Sequence, residues 1–580
     1  MKRKSSYILR FCGCFARYES TAVGCSPKFT YVLLFLNIIF LLIGLSALVC
    51  IFCFDFIVKW KIGEEIKLKE DTLAYASWLS PGPLTKFSIY MYNITNPNEI
   101  LHGQRPRLQE VGPYVYWEIS AKENVTPVTF GARSSLSYMK RTTYTFDRSL
   151  SVGDPSTAEI ISLSLSTLAL LESTKTARGV SLALVQFLNL LLDFSPFAKM
   201  SFSEHVWGHT DDLLALCHAF TPETCKTDKL GLLLNVNNSL VGPYVVDSGL
   251  KNNSYIGQIL SYKNHSSFNI WSSAEANLIQ GTDGTRFAPD IHLNSTFNIF
   301  VPTLCRSFLM EAFRETTPSN FQHLRVLEMR PHQSNYEAAE KNLRNAGFCA
   351  LDPSGPQCPP QGLFSIASCK APGAIKPPLF ASLPHFLYAD RRLQLALDGI
   401  RPDNPRYDEI RLLVEPKSGL VVEGHSRLQI NAFVEKSSAL GKLFGDLKEP
   451  IFLPIVWFDA TTVADRKILA LLHEHLYEVP TRILRILICL CVFSFIVCLT
   501  LTATIRSAPL CICWPFLRSA LGSKVKPDHG SGMKETTSSR QLLDAQEDPQ
   551  SENTSMDPSD QRLPSPWGGH ILTYAQNKMV

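Results

Sequence analysis

Three groups of residues in this chain could do chemistry: histidine, serine and glycine motifs of the kind enzymes use, cysteines, and asparagines in glycosylation sequons. The histidine motif is Leu472-His473-Glu474-His475-Leu476. Its imidazoles stand two residues apart, whereas helical zinc ligation places them one turn apart, as in H-E-x-x-H. Gly424-His425-Ser426-Arg427-Leu428 begins like a nucleophile elbow but lacks the second glycine, and it lies inside a predicted strand pair, where Ser426 reads as a turn or exposed strand serine. Gly281-Thr282-Asp283-Gly284-Thr285 is a turn cluster, with no Gly-Lys-Ser/Thr after it to cradle a phosphate. The cysteine pairs lack zinc spacing, and no cofactor fingerprint is present. The chain is not expected to be an enzyme or to need a cofactor.

The cysteines sort by position. Of sixteen, Cys12, Cys14, Cys25, Cys511 and Cys513 flank two long apolar runs on their charged sides, where reversible S-palmitoylation is expected. Cys50, Cys53, Cys489, Cys491 and Cys498 lie in or beside those runs and read as packing residues. Cys217, Cys225, Cys305, Cys349, Cys358 and Cys369 remain. An even number between the runs suits disulfides in an oxidising compartment, with the connectivity open. The same segment holds sequons at Asn93, Asn124, Asn237, Asn252, Asn264 and Asn294, all expected to carry N-linked glycans. Asn553 also fits the pattern but falls in the C-terminal tail, where no glycan is expected.

The elements that position these groups begin with the apolar runs. Phe29–Phe54 is 26 residues without a charge, and Asn37 is its only strongly polar member. About 20 residues cross a bilayer core, and a cleavable signal core is roughly 7–15, so an uncleaved span is predicted. Ile486–Ile505 is a second run of 20 uncharged residues. Residues 1–28 carry Lys2, Arg3, Lys4, Arg10, Arg17 and Lys28 against Glu19, and Arg506, Arg518, Lys524 and Lys526 follow the second run. Short basic flanks stay cytosolic, so both termini are expected inside and residues 55–485 outside or lumenal. Arg482 and Arg485 oppose this rule weakly, because a large domain translocates regardless. Residues 506–580 read as a largely disordered cytoplasmic tail. The net charge of +4 over 580 residues implies no nucleic-acid partner.

Between the spans, a short helix is predicted over Lys59–Leu73 and strands over Phe87–Asn93, Val111–Glu118 and Tyr138–Phe146. Ala158–Leu192 is rich in Leu, Ala and Ser at helical spacing, predicting two helices broken near Ser173–Gly179. From Gly231 to Phe458 short strands alternate with turn clusters, the pattern of a large, mostly antiparallel β domain with inserted helices.

The pieces TNPNEILHGQRPRLQEVGPYVYWE (Thr95–Glu118), SEHVWGHTDDLL (Ser203–Leu214), GLLLNVNNS (Gly231–Ser239) and IQGTDGTRFAPD (Ile279–Asp290) follow one another with LCRS (Leu304–Ser307), SLPHFLYAD (Ser382–Asp390), EPKSGLVVEGHSRLQIN (Glu415–Asn431) and PIVWFD (Pro454–Asp459). In this order they resemble the class B scavenger receptors, a family that includes the fatty acid translocase, the high-density-lipoprotein receptor and lysosomal integral membrane protein type 2. The resemblance covers nearly all of the segment between the spans. It implies a two-span membrane protein whose large α+β ectodomain has an antiparallel β-barrel-like core, an apolar tunnel toward the membrane and an apical helical bundle, here residues 158–220. The implied ligands are lipoproteins, fatty acids and phospholipids, or a protein cargo on the apical helices.

By position, the resemblance implies disulfides Cys305–Cys369 and Cys349–Cys358. A further pair of some members falls at Glu275 and Gly347, both lost here. Cys217 and Cys225 could then pair with each other, which is our inference and not carried over. The translocase has a lysine cluster at the end of its apical helix, where this chain reads Leu190-Leu191-Leu192-Asp193-Phe194. Leu184, Leu188, Leu191 and Lys199 are the apical ligand-contact candidates, and an apolar or protein ligand gains ground over an anionic one there. The expected function is a plasma-membrane receptor that binds lipoproteins or other lipids and passes lipid to the membrane. The alternatives are a lysosomal or endosomal sorting receptor for a protein cargo and, from topology alone, a two-span channel subunit, which the scarcity of polar residues in the spans disfavours. A homo-oligomer stays open.

Overall fold

Two long apolar helices bracket the folded chain, Pro27–Phe52 and Val479–Ser507. The computed structural model describes residues 27–80, 84–175, 194–220, 225–351, 355–366, 376–436 and 443–507, with isolated positions between them. Both helices are long and apolar enough to cross a bilayer. Their shared seam is made of small side chains: Gly44, Ala47, Cys491, Ser494 and Cys498 are buried, while Phe35, Leu42, Phe493 and Leu499 point outward. In lipid, where apolar burial does not drive helix pairing, such seams let backbones approach closely. A Cβ on Gly44 would meet Ser494 Cβ at 3.2 Å. Asn37 Nδ2 donates to Thr502 Oγ1 at 3.1 Å, and Cys491 Sγ lies 3.7 Å from the Gly44 carbonyl, so the helices run antiparallel.

The second span helix starts before the uncharged run, at Val479, because nothing in Thr481–Arg485 breaks a helix. The first is extended by Phe54–Glu65 after a break at Cys53, and a separate short helix covers Leu73–Leu79. The single helix expected over Lys59–Leu73 is therefore split, and Thr72 caps the second piece by accepting from Tyr75 N–H.

Between the spans stands one antiparallel sheet. Its strands are β1 (Thr85–Ile94), β2 (Leu108–Phe130) and β3 (Arg133–Asp147); then, after two small strand pairs, β8 (Ser239–Asp247), β9 (Ile259–Tyr262) and β10 (Thr296–Val301). They continue as β11 (Arg306–Thr316), β12 (Val326–Pro331), β13 (Phe364–Ser365), β14 (Leu379–Ser382), β15 (Arg411–Val414), β16 (Val421–Val434) and β17 (Ile451–Val463). The order is β10-β11-β12-β15-β16-β17-β1-β2-β3-β8-β9, with β13 and β14 branching from β16. The edges, β9 and β10, nearly meet. Ile259 N–H donates to the Gly281 carbonyl (2.8 Å) and Thr282 N–H to the Asn298 carbonyl (3.1 Å), so one short segment laces the two edges together. Closing a sheet in this way removes its exposed edges. Gly281 is required at the closure: its φ is +103°, and a Cβ there would run into the Asn298 carbonyl.

The small pairs are β4 (Glu159–Leu163) with β5 (Phe197–Ser201), and β6 (His209–Thr210) with β7 (Lys229–Leu230). The first corrects the helix expected from Ala158: Ile160, Ile161 and Leu163 pair with Met200, Lys199 and Phe197. Helix begins only at Leu165, capped by Ser164, and runs to Thr174. Lys199, expected on an apical helix, sits on β5.

Candidate functional site

Residues from strands along most of the sheet, β1 and β2 on one side and β10 to β17 on the other, line one cavity of about 580 Å³. This volume falls in the range of roughly 300–1,000 Å³ usual for ligand sites. Most of its wall is apolar, including Phe300, Leu304, Phe308, Met310, Leu412 and Val422. The wall also includes elements next to both spans. Ser77 and Trp78 come from the helix that follows the first span, and Ala464 and Ile468 lie just before the second.

A small set of charges interrupts this wall. Lys122 extends from β2, and its Nζ donates to the Trp78 carbonyl at 2.7 Å while lying 4.9 and 5.6 Å from the Trp78 and Tyr138 ring centres. Burial pushes this ammonium down to about 8, partly offset by the charge of Asp283. Asp283 lines the cavity and keeps accessible surface, and the desolvation imposed by the surrounding protein alone would raise it. The Lys122 charge and donation from Thr285 Oγ1 (2.6 Å) and N–H (3.0 Å) instead hold it below the usual carboxylate range. Arg286 donates through Nη1 to the Ile66 carbonyl (2.8 Å) and through Nη2 to the Ala74 carbonyl (3.3 Å), and burial lowers it to about 10. Lys122 and Arg286 thus fix the segment 66–79, which joins the first span to the barrel. Across the cavity Glu423 accepts from Ser319 N–H (2.8 Å), and Arg427 pairs with Asp459 at 3.3 Å.

A second polar cluster lies in the core. His385 is fully enclosed, with Nδ1 3.1 Å from Asp408 Oδ1 and Nε2 2.9 Å from Glu110 Oε2. Arg401 Nη2 donates to the same Asp408 oxygen at 2.8 Å, and Asn404 N–H to the other at 2.6 Å. Burial alone would lower the imidazole, but its hydrogen bonds with the two carboxylates outweigh that and hold it above its ordinary value. Both ring nitrogens are taken, so neither is left to activate a nucleophile. The cluster ties β2, the 384–386 turn and the 401–408 loop together. Of the other motifs, His473 stacks on Tyr477, Gly424–Leu428 lies within β16, and Gly281–Thr285 forms the edge-closing turn. Among the described residues no acidic, His or Cys cluster could hold a metal.

The structure joins Cys217 to Cys225, Cys305 to Cys369 and Cys349 to Cys358, with Cα separations of 5.7, 5.6 and 4.5 Å. At the position of the lost bridge, Glu275 pairs with Arg344 at 3.1 Å. Asn124, Asn237, Asn252, Asn264 and Asn294 are exposed, while Asn93 is half-buried and its Oδ1 accepts from Ile161 N–H at 2.9 Å. Lys199 Nζ pairs with Glu159 at 2.7 Å. Leu184, Leu188, Leu191, Cys12, Cys14, Cys25, Cys511 and Cys513 lie outside the described residues. Sequence reasoning missed Lys122 and Arg286. The available signal was parity: Glu118 and Lys122 share the alternation of the buried Tyr114 and Tyr116 on β2.

Comparison with known proteins agrees with this architecture. The chain is 30% identical to lysosome membrane protein 2 of Rattus norvegicus over 413 residues, covering 71% of this chain and 81% of the relative. The human protein of the same name is also 30% identical, over 414 residues, with the same coverage of both chains. Scavenger receptor class B member 1 of Bos taurus is 27% identical over 456 residues, 78% of this chain and 84% of the relative. The model of the CD36 family matches residues 36–505, from inside the first span helix to the end of the second, and the chain belongs to that family.

Proposed function

We propose that this protein is a two-span scavenger receptor that binds lipoproteins, phospholipids or other lipids and passes lipid through its barrel cavity to the membrane. The observation that carries this reading is the cavity itself: an apolar interior bordered by the residues adjoining both spans. Moving an acyl chain through such a space avoids exposing it to water, at about 0.8 kcal/mol per CH₂. Similarity to scavenger receptor class B member 1 supports the same reading. In this account the termini are cytosolic, the exposed sequons carry glycans on the outer or lumenal face, and the flanking cysteines are palmitoylated inside. The mixed strand and helix segment over residues 158–220 is where a protein ligand would dock, the alternative that similarity to lysosome membrane protein 2 keeps open.

The test is uptake of fluorescent phospholipid from lipoprotein by cells expressing the full chain or Ala460→Trp, which fills the cavity from β17. Uptake should fall to the level of untransfected cells at equal surface expression. Unchanged uptake by the plugged variant would refute transfer through the cavity.

A further inference from the structure

We propose that the helix Phe54–Glu65 is a docking surface for the outer leaflet of the receptor's own membrane. Phe52, Phe56, Ile57 and Trp60 lie in the headgroup layer of zwitterionic lipid and set the height at which the ectodomain stands. The inference concerns seating rather than ligand, so it stands or falls independently of lipid transfer through the cavity.

The lipid-facing stripe of the first span does not stop where the span does. Leu41, Leu45, Val49, Phe52, Phe56 and Trp60 follow one another at helical spacings of three and four, and all are exposed. Phe52, Phe56 and Trp60 are 90%, 74% and 59% exposed. Cys53 N–H donates to the Val49 carbonyl (3.0 Å) and Ile57 N–H to the Cys53 carbonyl (2.9 Å), so the backbone spiral is kept across Cys53. The opposite face is already covered. Ile62 packs on the core cluster that includes Ile66, Leu68 and Trp78, and Gly63 is buried against Asn253. Contiguous exposed apolar surface marks an interaction site, and continuity with the span names lipid as its cover.

Length agrees. At about 1.5 Å per residue from Lys28, a hydrocarbon core of about 30 Å is crossed by about residue 48. A bilayer of about 45 Å, headgroups included, is crossed by about residue 58, or about residue 60 at a tilt of about 20°. Phe52 to Trp60 therefore fall in the outer headgroup layer, where aromatic side chains concentrate. Charge selects the lipid. Lys59 pairs with Asp290 (2.9 Å), Lys61 with Glu65 (2.7 Å) and Lys67 with Glu64. Asp55 adds a fourth carboxylate against these three cations, so no surplus positive charge calls for anionic lipid. The helix leads into residues 66–79, which Lys122 and Arg286 tie to the barrel, so the depth of Phe56 and Trp60 fixes the height of the barrel above the leaflet.

The experiment reconstitutes the full chain in phosphatidylcholine vesicles and takes the Trp60 signal as the fluorescence of wild type minus that of Trp60→Phe, a substitution that keeps an aromatic ring. Phosphatidylcholine brominated near the ester end of its acyl chains should quench this signal about twofold, and more than lipid brominated at mid-chain. Replacing part of the lipid by phosphatidylserine should change the quenching by less than about 1.5-fold. No quenching by either brominated lipid would place Trp60 in water and refute the docking. Stronger quenching from mid-chain would put it in the hydrocarbon core and refute the headgroup placement. Quenching that weakens as the ratio of protein to lipid rises would show a second copy on the stripe, and quenching only with phosphatidylserine present would show an anionic requirement; either result overturns the proposal.

Discussion

Replacing His385 by Gln tests the internal polar cluster and carries a signature in pH. The imidazole is 0% exposed and bridges Glu110 and Asp408, which are 27% and 0% exposed. Removing one partner of a buried ion pair costs about 3–5 kcal/mol when the other charge is orphaned. Here Asp408 keeps Arg401 and the Asn404 N–H, and Glu110 can turn to solvent, so the lower end, about 3 kcal/mol, is expected. The folded His385 lies above its unfolded value of about 6.5. Its contribution is therefore complete below about pH 6.5 and is lost as pH rises through the folded value. The carboxyl of Asp408 is held low, so its share fades only on acidification well below that window. Thermal unfolding of the full chain in detergent, at one scan rate and at pH 5.5 and 8.5, should show a larger deficit for H385Q at pH 5.5. Equal melting of variant and wild type at pH 5.5, or a deficit that grows toward pH 8.5, would refute the charged-imidazole account.

Other outcomes follow from single contacts. Gly281→Val should clash with the Asn298 carbonyl where the sheet edges meet, and surface expression of the full chain should be largely lost; normal expression would mean that the edges need no closure. Asn93→Gln should destabilise by about 1 kcal/mol through loss of the Ile161 N–H bond, whereas Asn264→Gln should remove a glycan and cost only the smaller backbone preference for Asn at φ +65°; melting of both after deglycosylation separates the roles. Gly44→Leu should push the spans apart at Ser494, so that a cysteine pair placed at Phe40 and Phe493, whose rings lie 6.2 Å apart, no longer crosslinks on oxidation.

Much of the frame was legible because it rests on local chemistry. Uncharged runs marked both spans, alternation marked β1, and strand-like runs bounded by turn clusters marked β2, β3, β16 and β17. The stretch after Ala158 misled because Ile160, Ile161 and Leu163 fit either period; pairing with Phe197–Ser201, more than thirty residues on, decides for strand. A long-range hydrogen-bond ladder of this kind leaves little trace in a short window. Lys122 and Arg286 were obscure for a related reason. A single cation, Lys122 on a strand or Arg286 just after a turn, reads as solvent-facing until the sheet closes and turns it inward. His385 is harder still, since its partners Glu110, Arg401 and Asp408 come from distant segments. The family motif around Pro384-His385-Phe386 marked the place but not the contacts.

The most direct measurement of the central claim is mass spectrometry of lipid co-purified with the full chain, compared with Ala460→Trp prepared identically. The account predicts near-stoichiometric lipid retained by wild type through delipidating washes and little retained by the plugged variant. Equal retention by both, or none by wild type, would contradict a lipid-carrying cavity.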